Sequence, residues 1–405
     1  MTSGFLMRWL RHGLLTLAVV LATPSQVQAA DALLDFTPTE LRRIQSHGPW
    51  PTAAARDPGN ALAAHPQAVA LGQRLFFDPR LSDGGRLACA SCHVPGLAFT
   101  DGLARAVGRE TLTRNTPSLW NVVHGRWWGW DGAFDSLWSQ AIAPLTHPLE
   151  MASSGAHIRQ LLQKDAELSC RYQRLRGRAP ATVSDEAALV DAAKALGAFV
   201  GSLQSGPTAF DRFVRALNRG DRQAASRYPL EAQRGLRLFL GKGQCSTCHH
   251  GPMFSNGEFA DIGVPFFVRP GVVDPGRHGG IEQLRASPYN LLSRWSDASD
   301  SLTRVKTQHL APAHRNFGEF KVPSLRNVAE TAPYMHDGKL TTLEAVVRHY
   351  SDLNLDRLHA DGEQILKPLK LTESEVADLV AFLRTLSDPK ATQWKPRDLP
   401  GCVVR

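Results

Sequence analysis

Two cysteine pentads constrain this chain more than any other feature: Cys89-Ala90-Ser91-Cys92-His93 and Cys245-Ser246-Thr247-Cys248-His249. In a C-x-x-C-H pentad both thiols can add to the vinyl groups of a haem while the following His ligates the iron, so the two copies predict two covalently attached haem c groups. A zinc or redox C-x-x-C with an incidental His is the alternative for one pentad alone, and two copies behind an export signal argue against it. Each pentad follows a short run, 71–77 and 234–240, with apolar residues at helical spacing. Each haem is therefore expected just after a helix.

Residues 1–30 read as a secretory signal: Arg8 and Arg11 precede an apolar run from Leu14 to Ala22, then Pro24 and small residues suited to cleavage near Ala29 or Ala30. The run is about half the length a membrane anchor needs. The mature chain is thus expected to be periplasmic, without stable membrane insertion. About 375 residues remain, which suggests two domains. The chain carries 46 Lys and Arg against 38 Asp and Glu, and no basic stripe interleaved with aromatics, so nucleic acid is not an expected partner. Of six cysteines four lie in the pentads. The other two, Cys170 and Cys402, are free to pair in an oxidising compartment, which would tie the C-terminal tail to the first domain; the sequence leaves that bridge open.

An internal repeat makes the two halves unequal. Pro117-Ser118-Leu119-Trp120-Asn121-Val122 recurs 206 positions on as Pro323-Ser324-Leu325-Arg326-Asn327-Val328, and Asp131-Gly132 as Asp337-Gly338, whereas the pentads are 156 positions apart. The second half must hold about fifty extra residues between pentad and repeat. That insertion, 259–319, is rich in Gly, Pro, Ser and His and reads as a long loop, either a cover for the second haem, a docking surface or a variable excursion. The same offset sets Tyr350 against Pro144. A phenolate at Tyr350 can ligate the second iron, while Pro144 has no donor atom, so the first haem is expected open and the second closed. A core aromatic is the other reading of Tyr350, and Met335, His336 and His349 are alternative ligands.

The chain resembles the bacterial di-haem cytochrome c peroxidase and MauG superfamily over nearly its whole mature length. The resemblance rests on both pentads and on Arg114-Asn115-Thr116-Pro117-Ser118-Leu119, Trp130-Asp131-Gly132, Gln140, Pro144-Leu145 and Pro148-Leu149-Glu150-Met151. In the second half it rests on 320–327 and on Ala332-Pro333-Tyr334-Met335-His336-Asp337-Gly338. It implies an all-α fold of two cytochrome c-like haem domains, here 31–225 and 226–390, followed by a tail, 391–405. It also implies that the N-terminal haem is peroxidatic, with Gln140 and Glu150 on its distal side. A positioned carboxylate such as Glu150 can move a proton between the oxygens of hydrogen peroxide. Trp130 matches a tryptophan between the haems, and Asn115, Thr331 and Pro333 match ligands of a calcium ion, a hard cation suited to oxygen donors.

Two departures from the conventional peroxidase pattern bear on function. No His lies from Val94 to Thr113, where those enzymes carry a displaceable distal ligand, and Tyr350 stands where they have Met and MauG has Tyr. Both features imply oxidation of a protein substrate in the manner of MauG. The alternatives are a peroxidase that takes electrons from a small cytochrome or cupredoxin, and a non-catalytic di-haem electron carrier. Helices are expected at 187–203, 210–217 and 371–386, the last opened by a capping box of Thr372 and Glu375.

Overall fold

The computed structural model describes Met1 and residues 33–53, 55–264, 267–355 and 366–402. Apart from Met1 the expected signal segment lies outside them. The fold is all-α, with 44% helix and 4% strand. Fourteen α-helices are described: α1 (Pro38–Gln45), α2 (Pro66–Phe76), α3 (Cys89–Cys92), α4 (Leu137–Thr146), α5 (Gly155–Lys164), α6 (Ala166–Arg176), α7 (Asp185–Gly201), α8 (Ala209–Asn218), α9 (Arg222–Ser226), α10 (Leu230–Leu240), α11 (Arg277–Ala286), α12 (Ser301–Gln308), α13 (Leu343–Ser351) and α14 (Glu373–Arg384). Among the described residues no helix is long and apolar enough to cross a membrane.

The first core gathers α2, α4, α5, α6 and α7. The alanines of α7 let it lie buried among its neighbours, and Ser184 caps its first turn. A side chain at Gly72 of α2 would run into the Ala195 carbonyl of α7, so the close crossing requires glycine there. The second core gathers α1, α8, α10, α13 and α14 around Phe210, Phe239, Phe254 and Phe382, whose rings approach to 5.0–6.3 Å between centroids. Gly235 of α10 meets the Asp378 carbonyl of α14 as Gly72 meets α7. Thr372 and Glu375 form the expected capping box of α14.

Local geometry recurs between the halves. Asn121 and Asn327, 206 positions apart, are both left-handed at φ 63° and each opens a short 3-10 turn. The isolated bridge Trp128–Phe134 has its counterpart at Tyr334–Leu340, and Ser136 and Thr342 cap α4 and α13.

The structure differs from the sequence-based expectation in two places. The cores do not divide at residue 225: α1 and α8, from the first span, bury Ile44, Phe210, Phe213 and Val214 in the second core. The aromatic face of α8 finds its complement in Phe254 and Phe382 rather than in the first core. Nor is 259–319 a long loop. It is closed at its base by an antiparallel pair, β1 (Phe259–Ala260) with β4 (Phe320–Lys321), carries a hairpin of β2 (Phe267–Arg269) and β3 (Val272–Val273), and contains α11 and α12. It packs on the first core through Tyr289 and Trp295. Asp135, just before α4, anchors it by accepting from the Leu291 amide (2.9 Å) and the Thr307 hydroxyl (2.8 Å).

The C-terminal tail returns to the first core, where Gln73 and the Arg397 backbone exchange two hydrogen bonds. Cys170 and Cys402 form a disulfide with a Cα separation of 5.7 Å.

Candidate active site

Each pentad sits in a short turn that aims its histidine. In the first, the Ser91 hydroxyl accepts from the Ala88 amide (3.0 Å) at the start of α3, and the His93 amide closes the turn on the Cys89 carbonyl (2.9 Å). His93 Nδ1 lies 3.0 Å from the Phe99 carbonyl, and His249 Nδ1 lies 2.9 Å from the Phe254 carbonyl. A carbonyl only accepts, so Nδ1 carries the proton in both rings and Nε2 keeps the lone pair an iron needs. Ser118 and Ser324 hold these acceptor turns by donating to the Ala98 (2.6 Å) and Met253 (2.7 Å) carbonyls.

Burial lowers His93 and brings His249 to about 4, which keeps both rings neutral. Burial also pushes the Cys89 and Cys245 thiols up to about 12 and Cys92 to about 11, and raises Cys248. Redox C-x-x-C sites show the reverse shift. Two thiols and a neutral, oriented imidazole are the donor set that haem c attachment uses, so the residues at both pentads fit that group.

On the first side, α4 carries Gln140 and Pro144 one turn apart on one face. Its Ile142 and Leu145 belong to the core against which Cys89 and Ala90 pack. Gln140 Oε1 is buried with no hydrogen-bond partner. Glu150 follows the helix, with 31% of its side chain exposed and Oε1 3.7 Å from His147 Nδ1. Burial raises the Glu150 carboxyl, opposed by His147, and its charge in turn raises both Cys89 and Cys92. The structure thus sets Glu150 beside the first pentad.

Tyr350, on α13, is set beside the second pentad. Burial raises its phenol first, and the charges of Cys245 and Cys248 add to the rise. No described residue hydrogen-bonds its hydroxyl. Of the alternatives, His349 Nε2 lies 2.8 Å from the Ile262 carbonyl, and the buried His336 ring stacks on Phe320 (3.6 Å, 7°). Met335 sits in a left-handed turn at φ 73°.

Trp130 lies where the two halves meet. Its Nε1 donates to the Asn115 carbonyl (2.8 Å), and its own carbonyl accepts from the Lys321 amide (2.8 Å). Asn115 in turn receives its backbone bond from the second half, its amide donating to the His336 carbonyl (2.8 Å). Asn115 Nδ2 donates to the Leu103 carbonyl (2.8 Å), which leaves Oδ1 without a donor among the described residues. The Thr331 and Pro333 carbonyls likewise accept no backbone hydrogen bond there. Among the described residues no group of three or more His, Cys, Asp or Glu is arranged to hold a metal ion, so a calcium here would rest on neutral oxygens.

Two residues have structural roles at the site that the sequence did not assign them. Asp57 accepts from the Leu137 (2.6 Å) and Trp138 (3.1 Å) amides and so clamps the first turn of α4. Burial pushes it to about 7, opposed by its hydrogen bonds, with Asp135 adding. Arg114 joins Asp131 (2.6 Å) to Asp274 (2.7 Å), so that the insertion is tied to the segment bearing Trp130. An Arg-Asp-Pro-Gly-Asn stretch at 56–60 marks a turn for Asp57 but not its distant partner.

Comparison with known proteins identifies the family and the fold. The family described as di-haem cytochrome c peroxidase matches residues 66–219. A methylamine utilization protein MauG from Methylorubrum extorquens is 35% identical over 371 residues, which cover 91% of each chain. A cytochrome-c peroxidase IdrP2 from Pseudomonas sp. strain SCT is 33% identical, covering 83% of this chain and 88% of its own. Among solved structures, the diheme peroxidase BthA from Burkholderia thailandensis superposes with a TM-score of 0.65 at 25% identity, covering 87% of this chain and 94% of its own.

Proposed function

The chain belongs to the di-haem cytochrome c peroxidase family, and on that premise we propose that it reduces hydrogen peroxide at the Cys89–His93 site with electrons withdrawn from a docked protein. It is an oxidoreductase of the di-haem peroxidase type. Haem c, once attached, supplies the redox chemistry at both sites. The chain supplies proton handling, orientation and the relay between them.

Glu150 carries the reading. A carboxyl raised by burial beside the Cys89 and Cys92 thiols can hold a proton and release it. Its Oε atoms take the proton from the inner peroxide oxygen and deliver it to the outer one, so that water leaves. Gln140, whose buried Oε1 lacks a partner, orients the peroxide or its water by hydrogen bonding, and Pro144 presents no ligand atom in competition.

Trp130 relays electrons between the halves. Tyr350 would hold the iron of a haem at the second site; only that ligation would turn its burial-raised phenol into a phenolate, which would favour the oxidised state and suit withdrawal of electrons from a substrate better than storage of one. Asn115 Oδ1 with the Thr331 and Pro333 carbonyls forms the calcium site proposed between the halves. The Cys170–Cys402 disulfide supports export to an oxidising periplasm.

Peroxide added to the holoprotein without any donor is expected to change the absorption of both haems. Glu150→Gln should slow that change by about 100-fold or more; unaltered kinetics remove Glu150 from the mechanism. The similarity to the Pseudomonas enzyme supports a second reading, in which a small cytochrome or cupredoxin donates. Rapid turnover with such a donor, dependent on prior reduction, selects it.

A further inference from the structure

The C-terminal tail places an indole behind the histidine of the first pentad. His93 Nδ1 donates to the Phe99 carbonyl at 3.0 Å. The Phe99 ring meets Trp394 with centroids 5.3 Å apart at 62°. Trp394 also stacks on Phe77 (6.2 Å, 10°) and meets Phe199 edge-on (6.0 Å, 61°). It packs on the first core while remaining partly exposed.

We propose that Trp394 is a redox relay residue that passes single electrons from the surface to the Cys89–His93 site, by a route that uses neither Trp130 nor the second pentad. The proposal rests on the peroxidase reading above. Peroxide takes two electrons and two protons to become two waters. Trp394 supplies one of those electrons and the docked protein of the proposed function the other; the Nε1 proton of Trp394 leaves to solvent, and a neutral indolyl radical remains until that docked protein returns an electron, with a proton from solvent.

The surroundings separate Trp394 from its neighbours. Trp120 also touches Phe99 (5.2 Å, 85°), but it is 8% exposed and its Nε1 is bonded to the Ala391 carbonyl, so its proton has no exit. Trp394 Nε1 has no partner among the described residues, and the side chain reaches solvent. Phe77, Phe99 and Phe199 are far harder to oxidise than an indole and serve as the packed medium between it and His93. The tail is also held in place independently of the indole. Ala391 is bonded to Trp120, Arg397 to Gln73, the Pro400 carbonyl to Arg171 (2.7 Å), and Cys402 to Cys170.

The test treats the holoprotein with one equivalent of peroxide, no donor and a nitrone spin trap, followed by peptide mass spectrometry. The expected result is a trap adduct on the Trp394 peptide. Trp394→Phe, which keeps a ring in the packing, should abolish that adduct and prolong the peroxide-induced spectrum several-fold, and Trp394→Tyr, which restores an oxidisable ring, should shorten it again. Should the Phe variant fold poorly, the adduct in the wild-type protein decides alone. Peroxide consumption with adducts only elsewhere means that Trp394 serves packing and overturns the proposal. A holoprotein that consumes no peroxide overturns the peroxidase reading, and this proposal with it.

Discussion

Asp57 couples the distal helix to pH. It is 3% exposed, clamps the first two amides of α4, and is pushed by burial from 3.8 to about 7. A carboxyl whose folded value exceeds its unfolded one binds protons more tightly in the native state. Its contribution is therefore full below 3.8 and is lost as pH rises through about 7. Asp57→Asn should flatten that decline, seen as a smaller change in denaturant midpoint between about pH 4 and about pH 8. At neutral pH it should also cost about 1–3 kcal/mol, because one of the two α4 amides or Asn60 loses its acceptor. An undiminished slope removes Asp57 as its source. Both pentads stood out in the sequence because haem attachment demands those residue types at that spacing, whereas Gln140 and Glu150 were singled out only through the resemblance to the family. Asp57 was not among them, because the amide it caps lies 80 positions away and only tertiary packing brings the two together.

At the scale of elements, the crossing of α10 and α14 is the contact most sensitive to a single atom. A Cβ at position 235 would overlap the Asp378 carbonyl backbone and crowd Phe382, so relief requires the helices to part. Gly235→Ala is expected to destabilise by about 1–3 kcal/mol, despite the better helix propensity of alanine. Thermal unfolding should then fall by about 2–4 °C per kcal/mol, and an unchanged or raised midpoint would show that the helices can part without loss. The helix α14 was legible in the sequence, since Thr372 and Glu375 satisfy its first amides and its apolar residues fall on one face. Helices α11 and α12 were not. The N-cap of α11 is Gly276, which offers no side-chain hydrogen bond, and Gly279 and Gly280 depress its propensity. What holds α11 is tertiary: Arg277 donates to the Asp131 (3.2 Å) and Gly132 (2.7 Å) carbonyls and lies 4.0 Å over Phe259. A reading by composition could only return a loop there.

In the whole molecule the insertion acts as a strap from the second half onto the first, and Arg114 is its central pin. The guanidinium bridges Asp131 and Asp274, whose side chains are 8% and 6% exposed. The offset of the repeat located this strap but not its course, because the acidic partner at 274 lies in the unrepeated segment. Arg114→Gln removes the guanidinium that both buried carboxylates bind, leaving Asp131 only the charges of Arg277 and Lys321, and breaking such a pair costs about 3–5 kcal/mol. The loss should fall on the strap, so limited proteolysis is expected to cut within 259–319 in the variant while both haem-bearing cores persist. Acid supplies an independent check. The Arg114 charge and hydrogen bonds, against the opposing effect of burial, hold Asp274 below 3.8. Its contribution is therefore present above 3.8 and is lost only as pH falls through the lower folded value. In the wild type, protection of the strap should fade in that acid window; in Arg114→Gln the same titration should add no further loss. Equal protection of wild type and variant at neutral pH would instead assign the strap to its contacts at Asp135, Tyr289 and Trp295.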